Sequence, residues 1–116
     1  MTDLDRKQCV PCEGGVEPLD ADTIAEYREQ TPDWQVVEED GQKRLRRSYD
    51  FESFERALEL TDRIGAAAEE QGHHPVLVTE WGKVTVTWWT HAIGGLHDND
   101  FVMAAKSDRI YREMNG

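Results

Sequence analysis

Between residues 51 and 89 the chain switches once from a spacing of three and four residues to a spacing of two, and that switch narrows the folds open to it. Phe51, Phe54, Ala57 or Leu58, Ile64 and Ala67 or Ala68 recur at helical steps, with Glu52, Glu55, Arg56, Glu59, Asp62 and Arg63 mostly on the complementary side. This pattern predicts a long amphipathic helix. Gly72 supplies its stop, and Pro75 holds His74 extended, because the proline ring crowds a helical predecessor. Residues 76–80 and 83–89 are rich in β-branched and aromatic side chains and predict a hairpin around Trp81-Gly82, its second strand closed by His91.

The same two textures occur on either side. Trp34, Val36 and Glu38 alternate with Gln35, Val37 and Glu39; Asp40-Gly41 offers turn chemistry, and Leu45, Arg47 and Tyr49 resume the period of two. Residues 20–30 open on acidic positions suited to a helix N-terminus and carry Leu19, Ile24 and Tyr27 or Arg28, ending before Thr31-Pro32. After Gly94-Gly95, one of Asp98, Asn99 and Asp100 caps a last helix through Phe101, Ala104 or Ala105, Asp108 and Tyr111 or Arg112. The element order is α-β-β-α-β-β-α. Its packed solution is an α+β domain, a four-stranded antiparallel sheet of two hairpins with three helices on one face.

A chain of 116 residues has room for one such domain. Residues 1–19 hold Cys9, Cys12, two of the four prolines and a Gly-Gly pair without periodicity, and are expected to form an irregular arm; residues 20–116 form the domain. Trp88 and Trp89 point to opposite faces of one strand, so one of them needs cover away from the helices, which association of subunits would supply.

Thirteen basic residues against 24 acidic ones leave a net charge of -11, which repels phosphate backbones and anionic membranes and argues against direct nucleic-acid binding. The same excess suits a protein kept soluble in high salt. No apolar run approaches a membrane span and the N-terminus lacks a signal-peptide core, so a cytoplasmic protein is expected. Cys9 and Cys12 are too close in sequence to staple a fold. Their spacing is half of a structural zinc site, but no second such pair exists to complete it, and no metal is expected.

Chemistry concentrates at the helix-to-hairpin corner. Imidazole exchanges protons near neutrality, so a histidine cluster suits acid-base work. His73 and His74 follow a helix C-terminus, whose partial negative charge suits proton donors there, and the returning hairpin brings His91 back toward residues 74–76. Three of the four histidines thus line one pocket. His97, in the loop beside Asp98, is expected to be solvated.

The spacing is Glu69, His73-His74-Pro75, Trp81, His91 and Asp100, within the stretches FESFERALELTDRIGAAAEEQGHHP and THAIGGLHDNDFVMAAKSDRIY. This constellation resembles the pterin-4a-carbinolamine dehydratase family over nearly the whole domain. Leu77 departs from the pattern, since members often carry an aromatic residue two positions after the proline. The resemblance implies a lyase that eliminates water from 4a-hydroxytetrahydropterin to give quinonoid dihydropterin, within tetrahydropterin recycling and without a metal or cofactor. It implies a catalytic set of His73, His74 and His91, in which His73 and His91 look like the acids addressing the hydroxyl and His74 looks mainly like a binding residue. Asp100 and Glu69 would support the imidazoles, and Pro75 and Thr90 would join the histidines in binding substrate. As partners it implies the pterin, a second or further copies in a homodimer or homotetramer, and an aromatic amino-acid hydroxylase pathway.

Two rivals stand beside this reading. Members of the family also serve as dimerisation cofactors of a transcription factor, so an interaction protein with the same fold is the alternative. A metal-dependent hydrolase built on His73, His91 and carboxylates is weaker, because no ligand pair has the helical i, i+4 spacing of such sites.

Overall fold

The computed structural model describes residues 3–10 and 16–115, so Cys12 and the Gly-Gly pair lie outside the described residues. Helix α1 spans Ala21–Arg28, with the Asp20 side chain accepting from the Thr23 N–H at 2.8 Å. Such a cap satisfies one of the N–H groups that a helix start leaves without a partner. Strands β1 (Gln35–Glu39) and β2 (Gln42–Asp50) follow. Their turn is the expected Asp40-Gly41, both with positive φ, the geometry that matches the twist of the flanking strands.

Helix α2 (Phe54–Gln71) starts at Ser53, whose hydroxyl accepts from the Arg56 N–H, and turns Ala57, Leu60, Ile64 and Ala68 inward. Strands β3 (Val76–Glu80) and β4 (Lys83–Trp88) form the second hairpin. At its turn Gly82 has φ 77°, and a Cβ there would lie 3.1 Å from the Phe51 carbonyl oxygen, so the position needs glycine on two counts. Helix α3 (Asp98–Asn115) completes the domain.

All strand pairs are antiparallel, in the order β1-β2-β4-β3. Leu45 pairs with Trp88 and Tyr49 with Val84, so the period of two turns these residues and Val86 together onto the face that α2 and α3 cover. Helix α1 joins the layer through Tyr27, whose ring packs 5.3 Å from that of Phe101 on α3. The opposite face is laced by polar pairs, Arg46 donating to the Thr87 hydroxyl and Ser48 bonding Thr85.

Three details differ from the sequence expectations. First, part of the N-terminal arm is ordered on the domain: Leu4–Arg6 form a 3-10 turn, Leu4 is buried in the core, and Lys106 on α3 donates to the Asp5 carbonyl at 3.0 Å. A lone leucine in a polar segment carries no period, so pattern reading cannot place it. Second, Trp89 is only 9% exposed within the single chain, because the Arg44 guanidinium lies 4.0 Å from its ring centroid. Cover by a second subunit is not needed. Third, His91 does not close a strand: β4 ends at Trp88, and His91–Ile93 form a 3-10 turn held by paired backbone hydrogen bonds between Thr90 and Gly95.

A buried polar centre ties the sheet to α3. The Asp108 Oδ1 accepts from the Tyr49 hydroxyl at 2.5 Å, the Arg47 guanidinium at 2.6 Å and the Trp34 indole at 3.0 Å. Burial, and then the neighbouring Asp108 charge, pushes the Tyr49 phenol far above its ordinary range, which keeps it a donor.

Candidate active site

The corner is built by the end of α2. Gly72 takes the left-handed conformation, its N–H bonds to the Glu69 carbonyl, and the His73 N–H bonds to the Ala68 carbonyl at 3.2 Å. These two bonds are the Schellman closure of a helix, and they pin the backbone on which both histidines ride. Register does the rest. Val76 faces Thr87 across β3 and β4, and the segments running out from that pair bring His73 and Thr90 to one carboxylate.

The His73 Nε2 lies 2.6 Å from the Asp100 Oδ1, and the Asp100 Oδ2 accepts from the Thr90 hydroxyl and the His97 N–H, both at 2.9 Å. Asp100 is fully buried, so the His73 ring nitrogen and two donors converge on one carboxylate away from water. The His97 ring completes this corner by a route other than the expected solvation: its Nδ1 accepts from the Asn99 N–H at 3.0 Å, so His97 caps α3 while Asp100 reaches back to the cap's own N–H. That reciprocal pairing is a capping box with histidine in the usual serine position. A histidine cap gives no sequence signal, because Asp98, Asn99 and Asp100 beside it are all better cap residues.

Glu69 meets the other histidine. Its carboxylate pairs with the His74 Nε2, both side chains being solvent-exposed, because the left-handed Gly72 turns His73 inward and leaves His74 on the outer side of α2. His91 is exposed one residue beyond Thr90, with its ring 4.5 Å from that of Trp89. The His73 ring stacks on Trp88 at 5.7 Å and 11°. The chain therefore joins His73, Asp100 and Thr90 directly, while the His91 ring, one residue beyond Thr90, lies against Trp89 on the other side of the strand and the exposed His74 pairs with Glu69, so each imidazole has its own partners. Pro75, next to His74 in the chain, is half-buried. Trp88 and Trp89 are the neighbours that sequence reading passed over; their strand periodicity marked them as packing residues only.

Cys9 lies beside this region, its N–H bonded to the Gln71 side chain and its Sγ 4.0 Å from the Asn99 carbonyl. Burial pushes its thiol up to about 11, which disfavours the thiolate that a redox role needs. Among the described residues no group of three or more His, Cys, Asp and Glu side chains is arranged to hold a metal ion. Among the same residues no helix is long and apolar enough to cross a membrane.

Comparison with known proteins gives the class and then the family. A solved structure described as a transcriptional coactivator/pterin dehydratase from Brucella melitensis superposes with a TM-score of 0.74 at 30% identity, covering 81% of this chain and 98% of that one. The family model for pterin 4 alpha carbinolamine dehydratase matches residues 17–110. Relatives carrying the pterin-4-alpha-carbinolamine dehydratase name include one from Microcystis aeruginosa, 50% identical over 99% of both chains. Another, from Chlorobium limicola, is 53% identical over 96% of this chain and 98% of its own. The chain belongs to the pterin-4a-carbinolamine dehydratase family, a family of lyases.

Proposed function

We propose that the chain eliminates water from 4a-hydroxytetrahydropterin by histidine acid-base chemistry, releasing quinonoid dihydropterin for reduction back to tetrahydropterin. The observation that carries this reading is the His73, Asp100 and Thr90 connection, with His91 following Thr90 in the chain and His74 following His73. In the reaction a proton passes to the C4a hydroxyl, the C–O bond breaks as water leaves, and the N5–H proton is lost as the C4a=N5 double bond forms. One proton is given and one taken, so the enzyme ends as it began. His73 and His91 supply the acids. With Nε2–H donated to Asp100, the His73 Nδ1 is the nitrogen that exchanges a proton with substrate, and the buried carboxylate fixes that tautomer. His74, exposed and tethered by Glu69, with Pro75 and the Thr90 corner, binds the flat ring.

Positioned acid-base groups accelerate such steps by about 100- to 10,000-fold. The test follows the absorbance of freshly generated 4a-hydroxytetrahydropterin with the wild-type chain and with His74→Ala. The wild type shortens the lifetime of the hydroxypterin, and His74→Ala raises KM more than it lowers kcat; decay at the uncatalysed rate with both would defeat the reading.

The setting we propose for this activity is the cytoplasm, in a homodimer or homotetramer serving an aromatic amino-acid hydroxylase. Exposed Val76 and Val78 on the edge strand β3, and exposed Phe54 and Leu58 on α2, support association. A second reading, an interaction protein of the same fold, is favoured by the coactivator description of the Brucella melitensis structure. Partner binding that survives loss of all three histidines would separate the two.

A further inference from the structure

We propose that the tandem Trp88-Trp89 sets the ring planes of the two proton-transferring histidines, Trp88 holding His73 and Trp89 holding His91. The inference deepens the acid-base reading above and rests on it for its catalytic consequence. Adjacent residues of a strand point to opposite faces, so one dipeptide can serve two histidines that approach the sheet from different sides. Trp88, fully buried and paired with Leu45, lies on the helix-covered face, where its indole is nearly parallel to the His73 ring at 5.7 Å. Trp89 lies on the other face, 4.5 Å from the His91 ring at a tilt of 58°.

Each indole is itself held. Arg44 lies 4.0 Å over the Trp89 ring and is gripped by Glu39 at 3.0 Å and Asp40 at 3.7 Å, so an ion-pair cluster backs the platform under His91. Trp88 is packed among Leu45, Val84 and Val86. Packing does not account for the choice of residue. Among the described residues the Nε1 atoms of Trp88 and Trp89 are buried without a hydrogen-bond partner, and leaving a donor so costs stability that leucine or phenylalanine would not incur. What indole adds is a broad aromatic ring system, and each indole lies against an imidazole, stacked at Trp88 and tilted at Trp89.

The need differs between the two histidines. His73 has a second restraint in Asp100, so hydrogen bond and stack together fix its position and its plane. His91 stands on a short 3-10 turn, and among the described residues the Trp89 indole is the partner of its ring. A swinging imidazole spends little time within hydrogen-bond reach of a reacting oxygen, and the loss falls on kcat. Trp88 and Trp89 are positioning residues, acting through the histidines.

The experiment compares Trp88→Leu, Trp88→Phe, Trp89→Leu and Trp89→Phe with the wild type in two readouts. In the first, the carbon-bound imidazole protons are observed by NMR on the protein alone. The wild type shows ring-current shifts at His73 and His91; Trp88→Leu abolishes the first set, Trp89→Leu abolishes the second, and the phenylalanine variants retain part of each. In the second, each leucine variant loses about tenfold in kcat with KM within about twofold of wild type, and phenylalanine restores most of the loss. Unshifted histidine protons in the wild type overturn the proposal, as does a folded leucine variant with wild-type kcat in a chain that has the dehydratase activity. Should the buried Trp88→Leu fail to fold, Trp88→Phe and the Trp89 pair still decide. The NMR readout needs no substrate, so a chain that does not dehydrate the hydroxypterin sinks the functional reading while the ring planes are still judged on their own.

Discussion

Replacing Asp100 with asparagine lowers the dehydration rate about 100- to 1,000-fold while the domain stays folded. The carboxylate is fully buried, and its two oxygens have different duties: Oδ1 faces the His73 Nε2, and Oδ2 takes both the Thr90 hydroxyl and the His97 N–H. Asparagine has one oxygen to offer. Two donors at the Oδ2 position require that oxygen there, which turns the amide NH2 toward His73 and asks Nε2 to accept. The ring then carries its proton on Nδ1, the nitrogen assigned to exchange, and it cannot take a second proton without facing a donor. The capping box and the Thr90 link survive, so the fold does too. Stopped-flow rates beside circular dichroism check the pair of statements. Near-wild-type turnover by Asp100→Asn would mean that His73 does not depend on that carboxylate.

Asp108→Ala has its large effect on stability, a loss of roughly 3–4 kcal/mol, seen as a fall in Tm on the order of 10–20 °C. The residue lies two helical turns beyond Asp100 on α3 and neutralises a different set of groups. Removing it strands the Tyr49 hydroxyl, the Trp34 indole and the Arg47 guanidinium, and among the described residues Arg47 keeps Asp33, at 3.6 Å and largely exposed, as its counter-charge. Asp108 makes no contact with the histidines, so kcat measured well below the transition stays near wild type. Urea denaturation gives the free-energy difference directly. A variant that unfolds at the wild-type midpoint would show that the network is neutral.

The elements were legible because each is marked by more than one signal. Helix α2 has its apolar stripe, its Ser53 start and its Gly72 stop, and the two hairpins have alternation plus glycine turns. The candidate site was legible in part: the returning hairpin brings the Thr90 hydroxyl to the carboxylate that His73 also meets, whereas the His91 ring turns to Trp89. Pairing was less visible. Glu69, one turn before His73, reaches His74 because a single left-handed residue rotates the chain between them, and sequence spacing does not encode that rotation. Leu4 and the Arg44 cover of Trp89 were hidden because each depends on long-range contact and no period, and the His97 cap because Asp98, Asn99 and Asp100 beside it are better cap residues. Asp108 looked like any helix carboxylate until the strands set Tyr49, Arg47 and Trp34 around it.

The central claim is that imidazoles at this corner move the protons of pterin dehydration. The initial rate of loss of 4a-hydroxytetrahydropterin with wild type, His73→Ala, His91→Ala and the double variant, in one buffer, tests it most directly. The account predicts clear acceleration by the wild type, a large loss in each single variant and the uncatalysed rate in the double variant. A double variant that still accelerates the reaction like the wild type would contradict it.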